Sequence, residues 1–189
     1  MNLGQRLAAY AAHPDPMVAA CNRIALLVAS SQPTYPLYLW WLVGGPWWLA
    51  CWTFLSTPAF CMVPWVARRN LLAGPTLLVL AGFGNGLVAA KALGAGSGVE
   101  MFLVPEVLIA ALALGRRAPG LAGALMIGAG AVFWLGRHLG VPLGAFTVEQ
   151  TATMWRVNAG SAGVLMLVVL VTLGRLAVSP ASPSPSPRA

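Results

Sequence analysis

Six stretches of this chain are almost free of charge and long enough to matter to a bilayer: Met17 to Gly45, Pro46 to Ala67, Leu71 to Leu93, Val99 to Leu114, Leu121 to Leu139 and Met154 to Leu176. A helix that crosses the hydrocarbon core takes about 20 mostly apolar residues. No water is available there, so backbone groups must be satisfied within the segment, and an open chain can do this only as a helix. With 59% hydrophobic and 8% charged residues, the composition lies outside the range of soluble globular domains. The fold class expected is all-α: a polytopic membrane helix bundle of six transmembrane helices. Residues 1–15 form an N-terminal cytoplasmic or interfacial segment, 16–177 the six-span domain, and 178–189 a disordered Ser/Pro-rich tail.

Local signals place several of the boundaries. Residues 1–12 suit a short interfacial helix with Leu3, Leu7 and Tyr10 on one side. Asp15 followed by Pro16 is a good helix start, an N-cap with proline at the first helical position. Pro33 and Pro36 require the first span to kink or break, and Tyr35, Tyr38, Trp40 and Trp41 have the composition of a membrane–water interface. Trp47, Trp48 and Trp52 continue that belt. Gly82 and Gly86 form a small-xxx-small pair for close helix packing. Thr147, with Glu149 and Gln150 in the following turn, caps the start of the last helix.

Arginine sets the orientation. Arg6, Arg68, Arg69, Arg116, Arg117, Arg175 and Arg188 fall before span one and after spans two, four and six. Six crossings put all of these on one side, which the positive-inside rule makes cytoplasmic. The expectation is therefore both termini inside, in a cell inner (cytoplasmic) membrane. The net charge of +7 then reads as a topology signal and gives no reason to expect nucleic acid as a partner.

The few ionisable groups within the apolar runs need partners or a wet cavity, since each costs about 2.5–3.5 kcal/mol or more at a helix centre. Asn85, Lys91, Glu100, Glu106, Arg156 and Asn158 are the candidate ligand-binding set. The simplest arrangement pairs Lys91 or Arg156 with Glu100 or Glu106, as a structural clamp, as an outward-facing pocket for a small polar or amphiphilic ligand, or as a proton relay. The asparagines are placed to hydrogen-bond across helices. No catalytic or metal site is expected. Cys21, Cys51 and Cys61 read as small core residues, and His13 and His138 fall at opposite ends of the expected bundle. No cofactor is implied by any motif.

Three stretches resemble a known pattern: GNGLVAAKALGAGSGVEMFLVPEVLIAALAL at 84–114, FTVEQTATMWRVNAGSAG at the entry to span six, and PLYLWW in span one. They are similar to the six-helix transmembrane input region of bacterial class III nucleotide cyclases and sensor histidine kinases. The matching positions are Asn85, Gly98-Val99-Glu100 with Pro105, and Asn158. In that family span six leads into a cytoplasmic helix and an enzyme, whereas here it leads into the Ser/Pro tail. The resemblance implies a sensory or ligand-binding membrane module without its own catalytic domain, acting as a homo-oligomer or through a cytoplasmic or membrane signalling partner. The alternative is a membrane enzyme or cofactor- or quinone-binding subunit using the charged site between helices three, four and six.

Overall fold

The computed structural model describes residues 2–178, so the Ser/Pro tail and Arg188 lie outside the described residues. Among these residues every regular element is helical. Helix α1 (Leu3–Ala11) opens with a capping box between Asn2 and Gln5. Helix α2 (Pro16–Ser31) starts where Asp15 Oδ1 accepts the amides of Met17 at 2.9 Å and Val18 at 3.1 Å. The chain breaks at Gln32–Pro33 and resumes as α3 (Thr34–Leu42). Pro36 falls in the first turn of α3, where an amide has no intrahelical acceptor to lose.

Gly44 and Gly45, with φ of 71° and 60°, turn the chain into Pro46. Trp47–Ser56 then runs as a 3₁₀ helix of 10 residues before widening into α4 (Thr57–Ala67). Runs of this tight helix beyond about 3–4 residues are uncommon and often mark a hinge. Helix α5 (Ala73–Leu93) follows a turn in which Asn70 Oδ1 accepts the amides of Leu72 and Ala73. Val99–Phe102 is again 3₁₀; α6 (Leu103–Ile109) continues it and ends in a π-type turn, Ala110–Leu114. Helix α7 (Pro119–Arg137) precedes α8 (Val148–Val169), which passes through a second π-type turn into α9 (Arg175–Val178).

Among the described residues, four helical stretches are long and apolar enough to cross a membrane: Trp47–Ala67, Ala73–Leu93, Pro119–Arg137 and Val148–Val178. The other two expected spans are present as shorter or broken pieces. Pro16–Ser31 has 16 residues before its break, and 99–114 is divided among three helical pitches. The last helix begins at Val148, a full turn and more before Met154, because Thr147 supplies a complete capping box with Gln150.

Helix α5 is the hub, packed against α2, α4, α6, α7 and the 3₁₀ segment. One apolar cluster, including Ile24, Val63, Val79, Leu114 and Val169, fills one half of the bundle. A second, around Leu39, Ala50, Leu93, Val99 and Met154, fills the other. Trp41, Ile127, Val164 and Leu167 face outward. In lipid such outward side chains carry no penalty, so helix association rests on close packing and interhelical hydrogen bonds. Cys61, expected in the core, is exposed on the outside of α4, a position that lipid tolerates in a small apolar residue.

The arginine loops gather at one end. Arg68 donates to the Tyr10 carbonyl at 2.9 Å and stacks over the Tyr10 ring, and Arg116 donates to the Ala177 carbonyl at 3.3 Å. Arg117 pairs with Asp15 at 2.6 Å. Burial alone would raise the Asp15 carboxyl, but the Arg117 hydrogen bond and charge, with the Val18 and Met17 amides, outweigh it and hold the group below its ordinary value. A depressed carboxylate stabilises the fold above its unfolded pKa, about 4, and that contribution disappears as pH falls through the lower folded value. Thermal melts from pH 7 to pH 3 should show this acid-linked loss in the wild type. Asp15→Asn, which cannot ionise but still caps the helix, should remove that part of the pH dependence and start up to about 1 kcal/mol less stable through loss of the partly exposed Arg117 pair.

Candidate functional site

At the end opposite the arginines, a turn from Gly94 to Gly98 joins α5 to the 3₁₀ start of the α6 segment. Gly94 and Gly98 have φ of 91° and 80°, which only glycine adopts freely. Asn158, fully buried on α8, donates from Nδ2 to the Ser97 carbonyl at 2.8 Å, tying that helix to the turn. Its Oδ1 lies beside the hydroxyl of Tyr35 on α3, and among the described residues neither atom has another hydrogen-bond partner. Three separate segments (the broken first helix, the turn and α8) therefore meet at one buried amide.

Lys91 is not paired with either glutamate. Its ammonium donates to the carbonyls of Leu139 at 3.1 Å and Val141 at 2.8 Å, while the Leu143 amide bonds back to the Lys91 carbonyl at 2.9 Å. The lysine thus pins the loop between α7 and α8 onto the end of α5. Carbonyl acceptors satisfied it where the sequence suggested only carboxylates. Among the described residues no cation lies within ion-pair distance of Glu100 or Glu106.

Both glutamates instead line one cavity between α5, α6 and α7, with Ala90, Phe102, Val132 and Arg137. Glu106 is 8% exposed, and its Oε2 and that of Glu100 lack hydrogen-bond partners. Arg137 reaches the same lining, but its guanidinium sits over the Phe133 ring at 5.6 Å. The Glu106 carboxylate lies directly against Gly82, where a β-carbon would collide with it. Gly82 therefore seats a side chain of the neighbouring helix α6, whereas Gly86 has open space where its β-carbon would be. At about 20 Å³ the cavity can hold one water molecule and no quinone.

Arg156 stands apart from the glutamates. It is exposed, bonds through Nε to the Ala152 carbonyl of its own helix at 3.3 Å, and lines an open groove of about 710 Å³ with Gly96, Phe146, Val148 and Trp155. This groove has the room for a small amphiphilic ligand.

Asn85 belongs to a further cluster that the sequence did not suggest. Ser56 donates to Asn85 Oδ1 at 2.8 Å and accepts from Gln32 Nε2 at 2.7 Å, while Thr57 donates to Gln32 Oε1. Gln32 is buried at the break between α2 and α3, and Ser56–Thr57 is where the 3₁₀ helix becomes α4. The network joins the two irregular points of the bundle to α5. A polar residue beside each irregularity was the available signal. Among the described residues no group of three potential metal ligands exists. His138 stacks on Trp134, with ring centroids 4.3 Å apart, and His13 accepts the Asp15 amide at 3.0 Å near the arginine end.

Comparison with known families decides the assignment: residues 9–176 match MASE7, a membrane-associated sensor domain family, and so nearly every described residue is covered. The chain belongs to the MASE7 family. No curated protein matches the chain, and no solved structure matches it. The MASE7 assignment and the four apolar helices together make this a multi-pass membrane protein and a membrane sensory module.

Proposed function

We propose that this MASE7 domain crosses a bacterial inner membrane six times with both termini in the cytoplasm, detects a ligand at its outer end, and transmits the result through α8 to a signalling partner. One observation carries the reading. Asn158 fastens α8 to the outer turn, and the same helical stretch, Val148–Val178, continues to the arginine end, where Arg116 holds the Ala177 carbonyl. A change at the turn thus has a direct mechanical route to the opposite end. Of the candidate set, Arg156 lines the groove with space for an amphiphile, Lys91 and Asn158 hold the adjoining loop and turn, Asn85 anchors a separate network, and Glu100 and Glu106 line the small cavity.

The test joins residue 178 in frame to a reporter nucleotide-cyclase catalytic domain. Asn158→Ala should change output by about fivefold or more, the range expected for a coupling of 1–3 kcal/mol, in a protein that remains folded in detergent. Unchanged output from a folded Asn158→Ala chimera contradicts transmission through this contact.

A further inference from the structure

We propose that the groove beside Arg156 binds an amphiphilic carboxylate arriving from the water outside the membrane, its acid on the Arg156 guanidinium and its apolar chain along Phe146, Val148 and Trp155. The inference rests on the sensory reading above and deepens it, by naming the ligand class and the side from which it comes. Three observations lead to it. The first is an unspent pair of donors. Arg156 is exposed, its Nε donates to the Ala152 carbonyl at 3.3 Å, and among the described residues no acid lies within ion-pair distance of it. That bond holds the guanidinium against its own helix and leaves the two terminal nitrogens, whose end-on fork matches a carboxylate. Glu149, two turns earlier on α8, does not line the groove, and the Thr151 hydroxyl is spent on the Thr147 carbonyl.

The second observation is depth. Arg156 and Arg175 stand 19 residues apart on one continuous helical stretch, a rise of about 28 Å. The hydrocarbon core is about 30 Å thick, so with Arg175 at the arginine end Arg156 lies at the outer boundary of the lipid tails. Val148 lies about 12 Å further out. The third observation is apolar surface that the tails cannot cover there. Val148 is 89% exposed, and the half-exposed Trp155 and Phe146 complete the wall of a groove with an open volume of about 710 Å³. Exposed apolar surface of this kind beside a polar rim marks a binding site, and the volume is in the range of small-molecule sites. A small inorganic anion would leave the apolar wall wet, and an alcohol would leave the guanidinium without a counter-charge. A lipid headgroup would pair with Arg156, but its tails run into the bilayer, away from Val148. One molecule that carries a carboxylate and an apolar chain satisfies both parts of the groove.

Retention of radioactive decanoate by the purified full-length chain in phosphatidylcholine nanodiscs tests this, with empty nanodiscs measuring partition into lipid. The wild type should bind decanoate saturably, at about one per chain. Arg156→Gln should weaken binding by about tenfold or more, the factor expected for a lost charge-assisted hydrogen bond. Decanol should bind more weakly than decanoate and respond little to Arg156→Gln. Val148→Asp places an acid in the apolar wall at the first position of α8, where the helix dipole favours it, and should also weaken decanoate binding. Both changes fall on exposed side chains, so folding is not at risk. Absence of saturable retention overturns the proposal. Equal decanoate affinity in the wild type and Arg156→Gln overturns it by taking the acid off the guanidinium, and an unaffected Val148→Asp overturns the placement of the chain. Displacement of decanoate by a minor fraction of phosphatidylglycerol in the disc would give Arg156 to a lipid headgroup, which also overturns it. These results are read on the isolated protein and leave transmission through Asn158 untouched. Conversely, decanoate retention that leaves the reporter chimera's output unchanged refutes the sensory reading while the binding site stands.

Discussion

Gly98→Ala is expected to destabilise the protein by about 2–5 kcal/mol. Two costs add. The residue has φ of 80°, and a β-carbon in left-handed backbone costs about 1–2 kcal/mol. That β-carbon would also stand 3.0 Å from Cα and Cδ1 of Trp155 and 3.2 Å from its carbonyl oxygen. The first two turns of α8 must then move away from the outer turn, and overpacking of this kind costs about 1–3 kcal/mol. Reversible unfolding in mixed micelles measures the loss. Gly84→Ala is the control: its β-carbon meets nothing within 4 Å and its backbone is ordinary helix, so it should be neutral or slightly stabilising. Equal stability of the two variants would remove the turn–α8 contact from the account.

Gly82→Ala is the second large effect, at about 1–3 kcal/mol. The added methyl falls on the Glu106 carboxylate and must push a buried acid out of its seat. Shortening that acid should relieve the collision. Gly82→Ala with Glu106→Ala is therefore expected to be more stable than the sum of the two single changes, with a coupling of about 0.5–3 kcal/mol. Simple additivity would mean that Glu106 does not occupy the space beside Gly82. The same cycle on Lys91 and Glu100 should show no coupling, since Lys91 is satisfied by carbonyls of the α7–α8 loop.

How much of this was legible depended on the range of the interaction. Asp15 with Pro16 and Thr147 with Gln150 act within one helical turn, and the cap rules identified both starts. The apolar runs and the arginine loops are equally local and gave the helical membrane class. The arginine partners were not visible, because Arg117 meets Asp15 across 102 residues of sequence. The Gln32–Ser56–Asn85 network was missed for the same reason, its contacts spanning 24 and 29 residues. Each of its members looks tolerable alone, and only the fold brings them to the two irregular points of the chain. Lys91 was misassigned because a sequence displays carboxylates as partners but cannot display which carbonyls a loop will present. Helical pitch was illegible as well: nothing in 99–114 marks where 3₁₀ gives way to α and then to π, since all three keep the same residue types apolar.

Six crossings place the glutamate cavity and the outer turn towards one side of the membrane and the arginine loops on the other. Reporter fusions to an enzyme active only outside the cytoplasm, placed after Arg69, Gly96, Arg117 and Arg175, measure this directly. Six crossings predict an external signal after Gly96 alone, with the three arginine sites cytoplasmic. An external signal after Arg117 would contradict the account, because the helical segment 99–114 would then not cross, and the cavity and the output end of α8 could not face opposite compartments.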